Sequence, residues 1–171
     1  MRSTISRSSG LGFTMVELMV TVAVLVVVLA VTATPLSDFA ATNQVASSKS
    51  EFAASIGLAR TEAARRGQTV ILQAVAGGTA GNEFAAGWEL YADADGNGAV
   101  GGGDALLRRF DAPSARIKLH GNASLAFRAT GYLVGGMTLD YTVCRASGSN
   151  AGFRISVTPS GIADVAAIST C

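Results

Sequence analysis

The chain has 171 residues, 49% of them hydrophobic and 15% charged, with 13 Lys and Arg against 12 Asp and Glu for a formal charge of +1. Near-neutrality excludes binding to nucleic acid through a strong global positive field, and one histidine with two cysteines leaves little material for a metal or nucleophile centre. The length suits one modest domain of about 135 residues on an N-terminal anchor.

Residues 1–12 carry Arg2 and Arg7 and no acid, and are followed by Phe13-Thr14-Met15-Val16-Glu17-Leu18 and an apolar run from Met19 through Ala33. Phe13 to Ala33 is about 21 residues, which as a helix spans about 31 Å, the thickness of a bilayer core. The segment therefore reads as a single crossing. The two leader arginines put the short leader in the cytoplasm and everything after Pro35 outside.

Glu17 is the one charge in that stretch, and near mid-membrane it would cost about 2–3 kcal/mol. A secretory signal peptide would explain Val31-Thr32-Ala33 as small residues before a cleavage site, but it does not accommodate an acid in its apolar core. A simple anchor helix gives Glu17 no purpose.

Pro35 lacks an N–H and clashes with the preceding turn, so a kink or break is expected there. Helical periodicity then resumes: Val45, Phe52, Ile56, Ala59 and Ala63 form an apolar stripe suited to packing on a sheet. Glu62 and Arg66 stand at i, i+4, and Gly67 is a C-terminal stop. One long helix is expected from about Phe13 to Arg66, bent near Pro35.

After Gly67 the pattern becomes short β-type runs separated by glycine. They are Thr69 to Val75, Gly87 to Ala92, Ala105 to Phe110, Ile117 to Leu119, Ser124 to Arg128, Thr138 to Cys144, Gly152 to Thr158 and Ala163 to Ile168. Such repetition argues an antiparallel sheet. The fold class is α+β: a helical spine and a β-rich head.

The N-terminal pattern resembles the class III signal of type IV prepilins and type II secretion pseudopilins. The resemblance implies cleavage by prepilin peptidase between Gly12 and Phe13, N-methylation of Phe13, and Glu17 as the acid at the family position. It divides the chain into a leader (1–12), a transmembrane and assembly helix (13–34) and a periplasmic pilin-like head (35–171). Removal of Arg2 and Arg7 would take the charge from +1 to about −1.

Later blocks extend the likeness. Leu58-Ala59-Arg60-Thr61-Glu62-Ala63-Ala64-Arg65-Arg66-Gly67 with Val70 is similar to a block of the GspH/FimT branch. So are Gly87-Trp88-Glu89-Leu90-Tyr91 with Asp93, then Phe127 with Gly131, and the closing run Cys144…Gly152-Phe153-Arg154-Ile155-Ser156-Val157-Thr158-Pro159-Ser160-Gly161.

Cys144 and Cys171 both follow the membrane segment, where an oxidising compartment favours a disulfide closing about 28 residues and contributing roughly 3–4 kcal/mol. Two free buried thiols are the alternative.

Asp93-Ala94-Asp95-Gly96-Asn97-Gly98, ending at Asp104, has the oxygen-ligand spacing of a Ca²⁺ loop. Strand-like flanks, the short Asp104 at position 12 and Gly101 at position 9 count against it. Asp, Asn and Gly are also what an ordinary hairpin loop requires, and that reading is preferred.

His120 precedes a Gly-Asn turn with no nucleophile motif around it and reads as a surface residue, so no catalytic site and no cofactor beyond that Ca²⁺ are expected.

Some FimT-type pilins are linked to DNA uptake through a Gly-Arg-x-Arg motif. Here the matching residues are Gly161-Ile162-Ala163-Asp164, lacking both arginines and placing an acid where phosphate would bind. Arg145 and Arg154 remain as candidate DNA contacts, with Arg108, Arg109, Arg116 and Lys118 as a second basic group.

The sequence thus points to a non-enzymatic minor pilin or pseudopilin. The expected setting is the inner membrane, single-pass with a periplasmic head, then the initiation or tip complex of a type IV pilus or type II secretion pseudopilus. Expected partners are other major or minor pilins or pseudopilins and prepilin peptidase. A DNA-binding receptor pilin for transformation is the alternative.

Overall fold

The computed structural model describes residues 12–147 and 151–171, with the backbone alone for 31–38. Arg2 and Arg7 lie outside the described residues. The chain divides into two compact units, Met1–Phe39 and Ala40–Cys171.

Helix α1 runs Met15–Arg66 without a break, so Pro35 does not end it. Proline removes one N–H from the ladder, and the turns on either side keep theirs. The helix stops at Gly67, whose φ of 69° and N–H to the Ala63 carbonyl at 3.0 Å cap the last turn.

In the second unit the stripe foreseen from spacing is the buried face of α1: Val45, Phe52, Ile56, Ala59 and Ala63 are all buried. On its exposed side Glu62 accepts from both Arg65 and Arg66 at 2.8 Å.

Among the described residues eight strands follow: β1 Val70–Ala74, β2 Trp88–Ala92, β3 Ala105–Phe110, β4 Ile117–His120, β5 Ser124–Phe127, β6 Leu139–Arg145, β7 Gly152–Val157 and β8 Ala163–Ile168. They form two four-stranded antiparallel sheets rather than one, ordered β3-β2-β1-β5 and β4-β6-β7-β8. Period-two alternation tells which residues face inward, not which strands are neighbours, so the division into two sheets is invisible to it.

Both sheets contribute to one core with the α1 stripe. β2 buries Trp88, Leu90 and Ala92, while β6 and β7 bury Tyr141, Val143, Ile155 and Val157. Phe52 is the aromatic hub, with ring centroids 4.9 Å from Phe84, 5.3 Å from Trp88 and 5.1 Å from Tyr141. The contacts to Phe84 and Trp88 are edge-to-face and that to Tyr141 is tilted, and such aromatic pairs add to the gain from burial.

Candidate functional site

The described start of the chain is a helix whose apolar side chains are exposed. Phe13 is 75% exposed, Met15 82% and Leu29 66%, and the valines and leucines between them are also exposed. A helix apolar on all sides belongs in a lipid or in a bundle of other helices. Among the described residues no helix is long and apolar enough to cross a membrane. The run expected to do so, Phe13 to Ala33, ends within 31–38, whose side chains lie outside the description.

Glu17 sits in the first turn of α1, exposed, and its N–H donates to Thr14 Oγ1 at 3.3 Å. Thr14-Met15-Val16-Glu17 is thus the start of a capping box, and an acid there also favours the helix dipole. That local role was legible as a Thr-x-x-Glu spacing but is missed when Glu17 is read only as a membrane charge.

On the head, Cys144 and Cys171 are bonded to each other, joining the end of β6 to the chain terminus with no free cysteine among the described residues. Gly152 of β7 lies beneath the bond, and a Cβ there would fall 2.6 Å from Cys171 Sγ.

The acidic loop does bring its residues together: carboxylate oxygens of Asp93, Asp95 and Asp104 lie within 4.8 Å of one another. The same oxygens close the loop on itself. Asp93 accepts from the N–H groups of Gly96 and Gly98 at 2.8 and 2.9 Å, and Asp104 from Ala94 and Gly101 at 2.9 and 2.7 Å. Asp95 accepts from the Asn97 N–H and from its side-chain amide. These are Asx-type turn bonds, which the hairpin reading requires. Three carboxylates this close also have the reach for one divalent ion.

Arg145 and Arg154 are not brought together. Arg154 stands opposite Thr142, and Arg145 is three residues further along the same strand as Thr142, so the two project from opposite faces of the sheet. In the second basic group, Arg109 pairs with Glu89 at 3.3 Å and Arg108 covers the Phe110 ring at 4.8 Å.

Two arrangements join residues that the sequence did not show to be neighbours. Glu83, in the loop before β2, accepts from His120 Nδ1 at 2.8 Å and from the N–H groups of Gly81 and Gly121. Arg60 of α1 donates through Nε to the Gly131 carbonyl at 3.2 Å. Its side chain also lies against Gly161, so one cation joins two loops.

Residues 7–33 match the prokaryotic N-terminal methylation motif. Residues 50–161, well over half of the chain, match the family described as type II transport protein GspH. No curated protein matches the chain. Among solved structures it is similar to crystal structures of the type IV minor pilin FimU from Pseudomonas aeruginosa (strain PAO1). In the P21 form the TM-score is 0.63 at 22% identity, covering 78% of this chain and 98% of that one. In the P65 form the values are 0.58, 21%, 73% and 98%.

At that identity the likeness shows the fold alone, a helix followed by antiparallel sheets. The family and motif matches carry the assignment: the chain belongs to the GspH family of pilin-like proteins, structural and non-enzymatic subunits bearing the N-terminal methylation signal.

Proposed function

We propose that this chain is a minor pilin or pseudopilin that joins the initiation or tip complex of a type IV pilus or type II secretion pseudopilus. Prepilin peptidase cuts between Gly12 and Phe13 and methylates Phe13. The apolar run holds the subunit in the inner membrane, head in the periplasm, and then packs among the helices of other subunits.

The observation that carries this reading is the exposed apolar surface from Phe13 to Val27, interrupted by one carboxylate, Glu17. Covering that surface removes it from water. A carboxylate enclosed with it is tolerated only if paired, and the methylated amino terminus of a neighbouring subunit supplies the opposite charge. The work done is assembly.

Glu17→Ala tests it. The variant should reach the membrane and form the Cys144–Cys171 bond, yet be recruited to filaments roughly tenfold less, the effect of losing about 1.4 kcal/mol of pairing. Recruitment at the wild-type level removes the role given to Glu17.

A further inference from the structure

Four strands end the two sheets, β3 and β5 in one and β4 and β8 in the other. Three of these edges are blunted. β3 carries exposed Arg108 and Arg109 and shifts register against β2 between Leu90 and Tyr91. β4 carries exposed Lys118 and His120. The outer side of β5 is covered: the Val134 N–H donates to the Ala126 carbonyl at 2.8 Å, and Leu133 bridges Phe127. Charge, irregularity and cover are the means by which sheets avoid pairing edge to edge.

Among the described residues β8 has neither irregularity nor cover, and its one charged residue is Asp164. Its sequence, Ala163-Asp164-Val165-Ala166-Ala167-Ile168, holds no Lys, Arg or Pro, and it pairs with β7 in unbroken register over its whole length. No residue of it is buried. The Thr158 N–H bonded to the Ile162 carbonyl at 2.9 Å sets the phase of the ladder. By the alternation of an antiparallel pair, Asp164, Ala166 and Ile168 bond to β7, and Ala163, Val165 and Ala167 turn their N–H and C=O groups outward. Among the described residues no group meets them. The strand is also held at both ends, by the 158–162 turn at its start and by the Cys171 bond to Cys144 just after its end. An edge fixed in advance loses little entropy when it is paired.

The one charge on β8 itself is Asp164, and exposed Arg154 of β7, opposite Ala166, stands beside it on the same face. Asp140, Ser156 and Asp164 stand in one row across β6, β7 and β8. The Ser156 hydroxyl donates to Asp140 at 2.5 Å, which leaves Asp164 beside the open edge. Near the strand's far end a mostly apolar recess of about 230 Å³ opens, lined by Val45, Phe153, Ala167 and Ile168, with Arg145 also in its wall.

We propose that β8 is the docking edge for a neighbouring filament subunit. An extended segment of that subunit's head adds to the sheet as a further strand, sets a basic side chain against Asp164 and seats an apolar one in the recess. Main-chain bonds supply the affinity, and the charge and recess select the partner. This deepens the assembly role and rests on it.

The test uses the full chain in cells that assemble the filament, comparing wild type, Val165→Pro and Asp164→Arg in the membrane and sheared-filament fractions. Proline at 165 removes an outward N–H and no bond to β7. Val165→Pro should match wild type in membrane level and in the Cys144–Cys171 bond, with roughly tenfold less chain in filaments. Asp164→Arg keeps every backbone bond and should lower incorporation several-fold; it carries the test should the proline variant be degraded.

Incorporation of Asp164→Arg and of any folded Val165→Pro at wild-type level overturns the docking edge while leaving the assembly role standing. A wild-type chain absent from filaments overturns both. Self-association of the detergent-solubilised chain that Val165→Pro abolishes makes the occupant a second copy, and overturns the proposed partner.

Discussion

Gly152 and Cys171 are in near contact: a Cβ built on Gly152 would lie 2.6 Å from Cys171 Sγ, 3.1 Å from Cys144 Sγ and 2.5 Å from the Val143 carbonyl oxygen. The disulfide crosses β7 at the one side-chain position that has no side chain. Gly152→Ala is therefore expected to cost about 1–3 kcal/mol, the range for forcing atoms into a packed site. Thermal unfolding of the oxidised protein measures it. In a Cys144→Ser, Cys171→Ser background the cost should shrink without vanishing, because the Val143 carbonyl remains. That background should itself lose about 3 kcal/mol from release of the loop, whose ends are 27 residues apart.

Gly161 stands in the turn between β7 and β8 with φ of 79°, and a Cβ there would collide with the Gly131 carbonyl oxygen and press on Arg60. Gly161→Ala should destabilise the head by more than about 1 kcal/mol, since backbone, unlike a flexible side chain, has nowhere to move. Arg60→Ala should cost about 1 kcal/mol through the lost bond to Gly131. The two costs should not add, because both changes loosen the same pair of loops. A double-mutant cycle followed by denaturant unfolding reads the coupling.

Glu83 gives the head an acid-sensitive clamp. Partial burial by itself would raise its pKa, but the bonds from His120, from the N–H groups of Gly81 and Gly121 and from its own N–H outweigh that and lower it from 4.5 to about 2. A carboxyl whose folded value is depressed stabilises the protein above its unfolded pKa. That stabilisation fades as pH falls from about 4.5 towards 2. At this rim position solvent screening leaves about 1–2 kcal/mol of it. Glu83→Gln should lower stability at pH 7 and flatten the curve between pH 5 and pH 2, as judged by urea unfolding across that range.

Asp104 closes the acidic loop from its far end through Ala94 and Gly101. Asp104→Ala in EDTA should therefore cost about 1–2 kcal/mol and loosen residues 93–104, seen as faster amide exchange there. The wild-type melting temperature in EDTA and in millimolar Ca²⁺ assigns the acids. Equal values give them to loop closure, and a rise with Ca²⁺ that Asp104→Ala abolishes gives them to an ion.

Much of the fold was legible because its signals are local. The Val45 to Ala63 stripe has helical period, and alternation in Trp88-Glu89-Leu90-Tyr91-Ala92 marks a half-buried strand. What stayed hidden depends on residues distant in the chain. Glu83 and His120 are 37 residues apart, and Arg60 and Gly131 are 71 apart. No periodicity marks either pair, and the family-like blocks that contain Arg60 and Gly131 do not say that the two meet. The division of eight strands into two sheets is likewise a matter of pairing, not propensity. The loop acids were found by spacing, but spacing could not say that each carboxylate would spend its oxygens on the loop's own N–H groups. The candidate arginines Arg145 and Arg154 are close in sequence to the same turns, yet the pleat sends them to opposite faces.

The central claim is pilin-type processing and assembly, and the most direct measurement is the intact mass and N-terminal sequence of the chain extracted from membranes. The account predicts a mature protein beginning at N-methyl-Phe13, with the Cys144–Cys171 bond intact. A chain beginning near Thr34, or one keeping Gly12 and the residues before it, would contradict that account and leave Glu17 with only its place in the first turn of α1.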